Sequence, residues 1–202
     1  MSFNEDFQKA FKGLAVDIDS FKFDISRRIS WLWDPPEDYQ GSSYSQVFAE
    51  REDKRSIIRI SNANELNAQF YPIDKAIIRE QKDGQCDGLI VIKEADEKIC
   101  WIELKMNITT HSKSTFHEKL DEGLGQIENT LLKFREIWWK KGLIFPAETA
   151  QVAAIAIPAK PARLRQTPAN FKVKAEKKLR GIKIFLVSEI ELPDIKPKRG
   201  NK

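Results

Sequence analysis

The chain has 202 residues, enough for one domain with a proper core and some appended segments. Its 41% hydrophobic and 32% charged residues suit a globular protein, and no run nears the roughly 18 apolar residues of a membrane span. Two cysteines and two histidines are too few for a disulfide framework or a zinc site, and the net charge of +4 leaves nucleic acid open as a partner.

The opening "MSFNEDFQKAFKGLAVDIDSF" carries acidic residues and no continuous apolar stretch, so it does not read as a signal peptide. A reducing, cytoplasmic location is expected, with Cys86 and Cys100 as small core residues. From residue 3 to 33 the apolar positions Phe3, Phe7, Phe11, Leu14, Ile18, Phe21, Ile25, Ile29 and Leu32 keep close to a helical period. They predict an N-terminal helical segment over 1–36, packed on the core and broken at Pro35 and Pro36. Ser45 is placed to cap a short helix through "QVFAEREDKR".

From residue 56 the pattern turns to strands. "SIIRI" and "IDKAIIRE" read as strands on either side of the turn-rich "SNANELNAQF". "CDGLIVI" and "KICWIELK" follow, joined by a short loop. A long helix is expected over 114–141, where Phe116, Leu120, Leu124, Ile127, Leu131, Phe134 and Trp138 step by three or four before Gly142 stops it. "QVAAIAIP" is a buried strand, a basic and partly helical connection comes next, and "IKIFLVSEIEL" closes the sheet. The expected fold is α/β, a central mixed sheet flanked by helices. Its main domain spans 45–192, and 193–202 reads as a basic, disordered tail.

The chemistry concentrates in "CDGLIVI…KICWIELK". Pairing Ile92 with Lys98 puts Asp87 opposite Glu103, with β-carbons about 4.5–5.5 Å apart. Period two brings Lys105 to the same face. Both faces of the hairpin are otherwise apolar, as in a strand buried on two sides. Two carboxylates so close in a core repel each other unless a cation lies between them. A hard divalent ion such as Mg²⁺ fits two carboxylates and leaves positions for water and phosphate. The set therefore suits metal-assisted hydrolysis of a phosphodiester, with Lys105 orienting the water or neutralising developing charge. The competing reading is an Asp/Glu/Lys ion-pair network without metal.

Asp87 followed by Glu103-Leu104-Lys105, on consecutive buried strands with a long helix after them, resembles the PD-(D/E)xK, or restriction-endonuclease-like, nuclease superfamily. The resemblance covers roughly 45–157; Gln85 and Cys86 stand where the motif's proline would be. It implies a restriction-endonuclease-like core in which Asp87 and Glu103 bind Mg²⁺, with Mn²⁺ as substitute, and Lys105 assists catalysis. It also suggests Gln126 in "GLGQIENTL" as a further catalytic residue, against the reading of an ordinary polar residue at the edge of a core helix. Glu50 is the candidate for an acidic residue on a preceding helix, with Glu52 and Asp53 as rivals. The loop 106–117, with His111, Lys113 and His117, is open to substrate or a partner.

Lys174, Lys177 and Lys178, in the basic stretch after residue 160, are the expected nucleic-acid contacts. The implied activity is a metal-dependent nuclease, acting on DNA, alone or as a homodimer or with a partner protein that supplies specificity. A small nuclease of this kind fits a prokaryotic defence or mobile-element system. The alternative is a non-catalytic nucleic-acid-binding or scaffolding subunit that keeps the fold.

Overall fold

The computed structural model describes residues 3–12, 17–36, 39–51, 57–78, 84–94, 97–105, 113–157 and 169–193. Helix α1 (Phe3–Phe11) places Phe3, Phe7 and Phe11 on one buried face. Two strands follow where helix was expected, β1 (Phe23–Asp24) and β2 (Ile29–Trp33). Residues 29–33, "ISWLW", are β-branched or aromatic but for Ser30 and Leu32, which a pleated surface accommodates well. They pair antiparallel with β4 (Ile57–Ser61) from Ile29↔Ser61 to Trp33↔Ile57. That pairing buries Ser30 and Leu32 and leaves Ile29 40% exposed, a period of two that overrides the spacing by four.

The expected helix from Ser45 is instead β3 (Gln46–Phe48), which hydrogen-bonds β2. Residues 52–56 of that reading lie outside the described residues. Strand β5 (Ala68–Pro72) occupies part of the stretch read as turn-rich, and residues 73–78 of "IDKAIIRE" form a turn. The amides of Ile77 and Ile78 both donate to the Ile73 carbonyl, and Lys75 takes a left-handed φ of 60°. Ile73, Ala76, Ile77 and Ile78 are all buried, so a compact turn does what a strand was expected to do.

The remainder runs in the expected order: β6 (Gly88–Ile92), β7 (Lys98–Leu104), α2 (Lys113–Lys140), β8 (Gln151–Ala156), α3 (Ala169–Lys178), β9 (Lys183–Val187) and β10 (Ile190–Glu191). Six strands form a mixed sheet in the order β1-β5-β6-β7-β8-β9, antiparallel up to β7 and parallel beyond it. The protein is thus α/β, as the sequence suggested. The parallel strands are joined through α2 and α3, the crossovers such pairs require.

A second sheet, β10-β4-β2-β3, stands beside it, unexpected from the sequence. One face of the main sheet packs Leu89, Val91, Ile99 and Trp101 against the helices. The other packs Ile90, Ile92, Cys100, Ile102 and Leu104 toward Leu32, Ile58 and Ile60 of the second sheet. These are the two faces expected from the alternation in the hairpin. Helix α1 joins the helical layer, where Phe3 stacks on Trp138 at 5.7 Å and Phe7 packs against Phe134 at 5.9 Å. Trp138 is fully buried, whereas its neighbour Trp139 is 79% exposed. Both cysteines are free and buried. Among the described residues no helix is long and apolar enough to cross a membrane. Residues 194–202 of the basic tail lie outside the described residues.

Candidate active site

The β6–β7 register is the expected one, from Ile92↔Lys98 to Gly88↔Ile102. One further step sets Asp87 beside Glu103 at the end of the hairpin. The carboxylate of Asp87 accepts the Leu104 amide at 2.5 Å. Asp87 is 9% exposed and Glu103 only 2%. Lys105 follows the strand, its amide donating to the Ala156 carbonyl at 2.7 Å, so the adjacent parallel strand fixes its backbone.

The Lys105 ammonium reaches three acceptors: Glu103 Oε1 at 2.8 Å, Glu122 Oε1 at 2.9 Å and Gln126 Oε1 at 2.6 Å. Gln126, which the resemblance suggested as a further site residue, is thus in contact with Lys105. Its helical stripe works as a docking edge. A β-carbon at Gly123 would stand 3.1 Å from Glu103 Cγ, so the absent side chain lets α2 approach β7 closely. One helical turn past Gln126, the Thr130 hydroxyl accepts the Cys86 amide at 2.8 Å, which ties α2 to the residue before Asp87.

Two more carboxylates bear on this end of the sheet, and the sequence reading missed both. Asp34 is the first residue after β2. Ser45, just before β3, donates its hydroxyl to Asp34 Oδ1 at 3.2 Å in place of capping a helix. Asp74 follows Ile73, whose amide donates to the Asp87 carbonyl at 3.0 Å. Asp74 lies 3.8 Å from the Lys75 ammonium. The signal in each case was an acid one or two residues beyond an apolar strand, in "LWDPP" and "FYPID", where strand ends gather on one side of the sheet. Glu50, the residue proposed for this role, lies on an exposed bend after β3 rather than on a helix.

Burial dominates the electrostatics. It raises the Asp87 carboxyl well above the ordinary carboxylate range, and the charges of Glu103 and Asp34 push the same way. Burial also drives Glu103 up to about 8, against the pull of Lys105. Asp34 and Asp74 are raised by burial too, with Ser45 and Lys75 respectively opposing most strongly. Burial works against the charge on Lys105, yet Glu103 and Glu122 hold it above the ordinary lysine value. Four carboxyls gathered at one end of the sheet are thus biased toward holding their protons, and a cation beside them would favour their charged forms.

The residues suit a hard divalent cation. Glu103 Oε2 is buried without a hydrogen-bond partner among the described residues, an unusual cost for a carboxylate oxygen. Asp87 supplies a second oxygen donor of the kind Mg²⁺ prefers. Among the described residues no three His, Cys, Asp or Glu side chains group closely enough to hold a metal ion. The protein's share would therefore be two carboxylates, with the remaining positions left to water and substrate, as is common for Mg²⁺.

Elsewhere the structure separates the expected partners. Lys174 pairs with Asp121 at 2.6 Å, and Lys178 pairs with Glu128, so two of the three lysines expected to contact nucleic acid are turned to the acids of α2. Lys177 is exposed. Residues 106–112 of the polar loop, with His111, lie outside the described residues, while His117 is half-buried and its ring is edge-on to Phe116. Compared with known proteins, the chain matches no protein-family model, no curated protein and no solved structure.

Proposed function

We propose that the chain is a divalent-metal-dependent nuclease with a restriction-endonuclease-like core, hydrolysing phosphodiester bonds in DNA. The observation that carries this reading is the Glu103 carboxylate, buried beside Asp87 with one oxygen left without a partner. A structural ion pair satisfies its acceptors, whereas this one is satisfied on one side only. Asp87 and Glu103 hold the ion, which supplies charge to polarise the phosphoryl oxygen and favour attack by water. Lys105 presents an ammonium at the reacting phosphate, where negative charge builds up in the transition state. Gln126 and Glu122 fix that ammonium, and the apolar walls of the hairpin keep bulk water from screening it. The helix after the lysine-bearing strand and the mixed sheet support the fold assignment.

Incubating the purified chain with DNA and RNA substrates in Mg²⁺, in Mn²⁺ and in chelator tests the activity. Cleavage that needs the ion and is lost in Asp87→Asn is the expected result. Either ion should also raise the melting temperature of the wild type by mass action and leave Asp87→Asn unmoved. An identical thermal shift in both proteins removes the metal from this account.

Lys105 already serving as a cation for Glu103 favours one second reading, a non-catalytic binding subunit whose acidic pair is structural. The α3 lysines bear on both readings. If they contact phosphates, neutralising Lys174, Lys177 and Lys178 together flattens the dependence of affinity on salt, because fewer counterions are released. An unchanged slope places the binding surface elsewhere, in keeping with the ion pairs of Lys174 and Lys178 to α2.

A further inference from the structure

An ammonium has three N–H donors, and the three acceptors around Lys105 take them all. Two of those acceptors are carboxylates on different elements, Glu103 on β7 and Glu122 on α2. Glu122 is not an isolated surface acid. Its second oxygen, Oε2, takes the Lys119 ammonium at 2.6 Å, one turn back on the same helix. Its charge is thus held in place by one lysine of the helix and directed at one lysine of the sheet. An ordinary i,i+3 pair accounts for Lys119; it does not account for Lys105, seventeen residues away in sequence. Gly123, the very next residue, is where α2 comes close enough to Glu103 and Lys105 for this contact to form.

We propose that Glu122 is a positioning residue that draws the Lys105 ammonium toward α2 and so frees the Glu103 carboxylate for a divalent cation. The inference rests on the metal-dependent reading above and adds to it how the site changes counterion. Lys105 holds Glu103 Oε1 at 2.8 Å while Oε2 is left to the ion, and two cations sharing one carboxylate repel each other. An ion on Oε2 therefore weakens the hold of Lys105 on Oε1, and the ammonium leans on its other two acceptors. Glu122 and Gln126 stay within reach without any movement of the helix, so the ammonium keeps two acceptors and one full countercharge. Without the charge of Glu122, Glu103 is the one carboxylate left in contact with Lys105 among the described residues, and the lysine competes with the ion for it. Gln126 does not replace that role, because its amide oxygen carries no charge.

The test is titration of the full chain with Mn²⁺, followed calorimetrically, for the wild type, Glu122→Gln, Lys105→Met and the double variant. Glu122→Gln is expected to bind Mn²⁺ on the order of tenfold more weakly than the wild type. Its melting temperature in chelator should stay close to that of the wild type, because Glu122 is half-exposed and the glutamine keeps the acceptor atom. In the Lys105→Met background the same substitution should have little effect, because no ammonium remains to be drawn away. Equal Mn²⁺ affinity for wild type and Glu122→Gln overturns the proposal and leaves the metal site standing. So does a tenfold loss that persists in the double variant, which makes Glu122 act on the ion directly. A wild type that binds no Mn²⁺ overturns the metal-dependent reading and this role together.

Discussion

Lys105→Met is expected to lower cleavage about 100- to 1000-fold while substrate binding changes little. Losing a group that acts on transition-state charge reduces kcat, and ground-state affinity is spared. Methionine keeps much of the volume of the lysine stem, so the packing against α2 survives. The second consequence distinguishes an enzyme from an ion-pair network. Lys105 is the one hydrogen-bond donor to Glu103 Oε1 among the described residues, and Oε2 has none. Removing it strands a carboxylate that is only 2% exposed. In a purely structural network the loss is on the order of 3–5 kcal/mol, whatever the buffer contains. In a metal site the ion already balances Glu103 and Asp87, so Mg²⁺ restores most of the lost stability. Two measurements decide: melting temperature with and without Mg²⁺, and cleavage rate at saturating substrate. A variant that melts far lower in both buffers, beside a wild type that cleaves nothing with any divalent ion, ends the nuclease reading.

The part of this site that could be read from the sequence is the part built by local pairing. "CDGLIVI" and "KICWIELK" are apolar on both faces, and a short loop between them admits few registers, so Asp87, Glu103 and Lys105 follow from strand periodicity. Gln126 was suggested by the resemblance alone; helical spacing adds only that Gly123 and Thr130 share its stripe. Asp34 and Asp74 do not follow from periodicity, because their position depends on how β2 and β5 end relative to β6. Asp34 also follows a strand of the second sheet, whose existence rests on non-local pairing. The β2–β4 ladder joins residues from Trp33↔Ile57 to Ile29↔Ser61, farther apart than the roughly 11–18 residues over which periodicity is read. The apolar spacing over 14–33 fitted a helix, but Ile29, Trp31 and Trp33 gain more from lying against β3 and β4 than helical propensity could offer. Glu122 was missed for a different reason. On sequence alone it is one acid among many on a solvated helix face, and only the approach permitted by Gly123 gives it a target.

The raised carboxyls give the second large effect, a stability that depends on pH with the opposite sign to most acidic groups. Burial lifts Glu103 from 4.5 to about 8 in the folded chain. Between those values the native state keeps a proton that the unfolded chain has released, so stability falls as pH rises. Above about 8 both states are ionised and the slope ends; below 4.5 both are protonated and the full stabilisation is present. One such group contributes at most about 1.4 kcal/mol per pH unit. From pH 5.5 to 8 that is roughly 3 kcal/mol, or about 10 °C in melting temperature for a chain of this size. Asp87 is shifted in the same direction by burial and by Glu103, so it adds to the trend. Melting curves in chelator across this range should therefore descend for the wild type. Glu103→Gln cannot ionise and keeps Glu122 and Gln126 for Lys105, so its curve should be flatter and should lie above the wild type at pH 8. Mg²⁺ favours the charged carboxylates; it should flatten the wild-type curve and leave Glu103→Gln where it was. Parallel curves for the two proteins in chelator mean that Glu103 is ionised throughout, with Lys105 as its sufficient counterion. The buried oxygen would then give no reason to place a metal beside it.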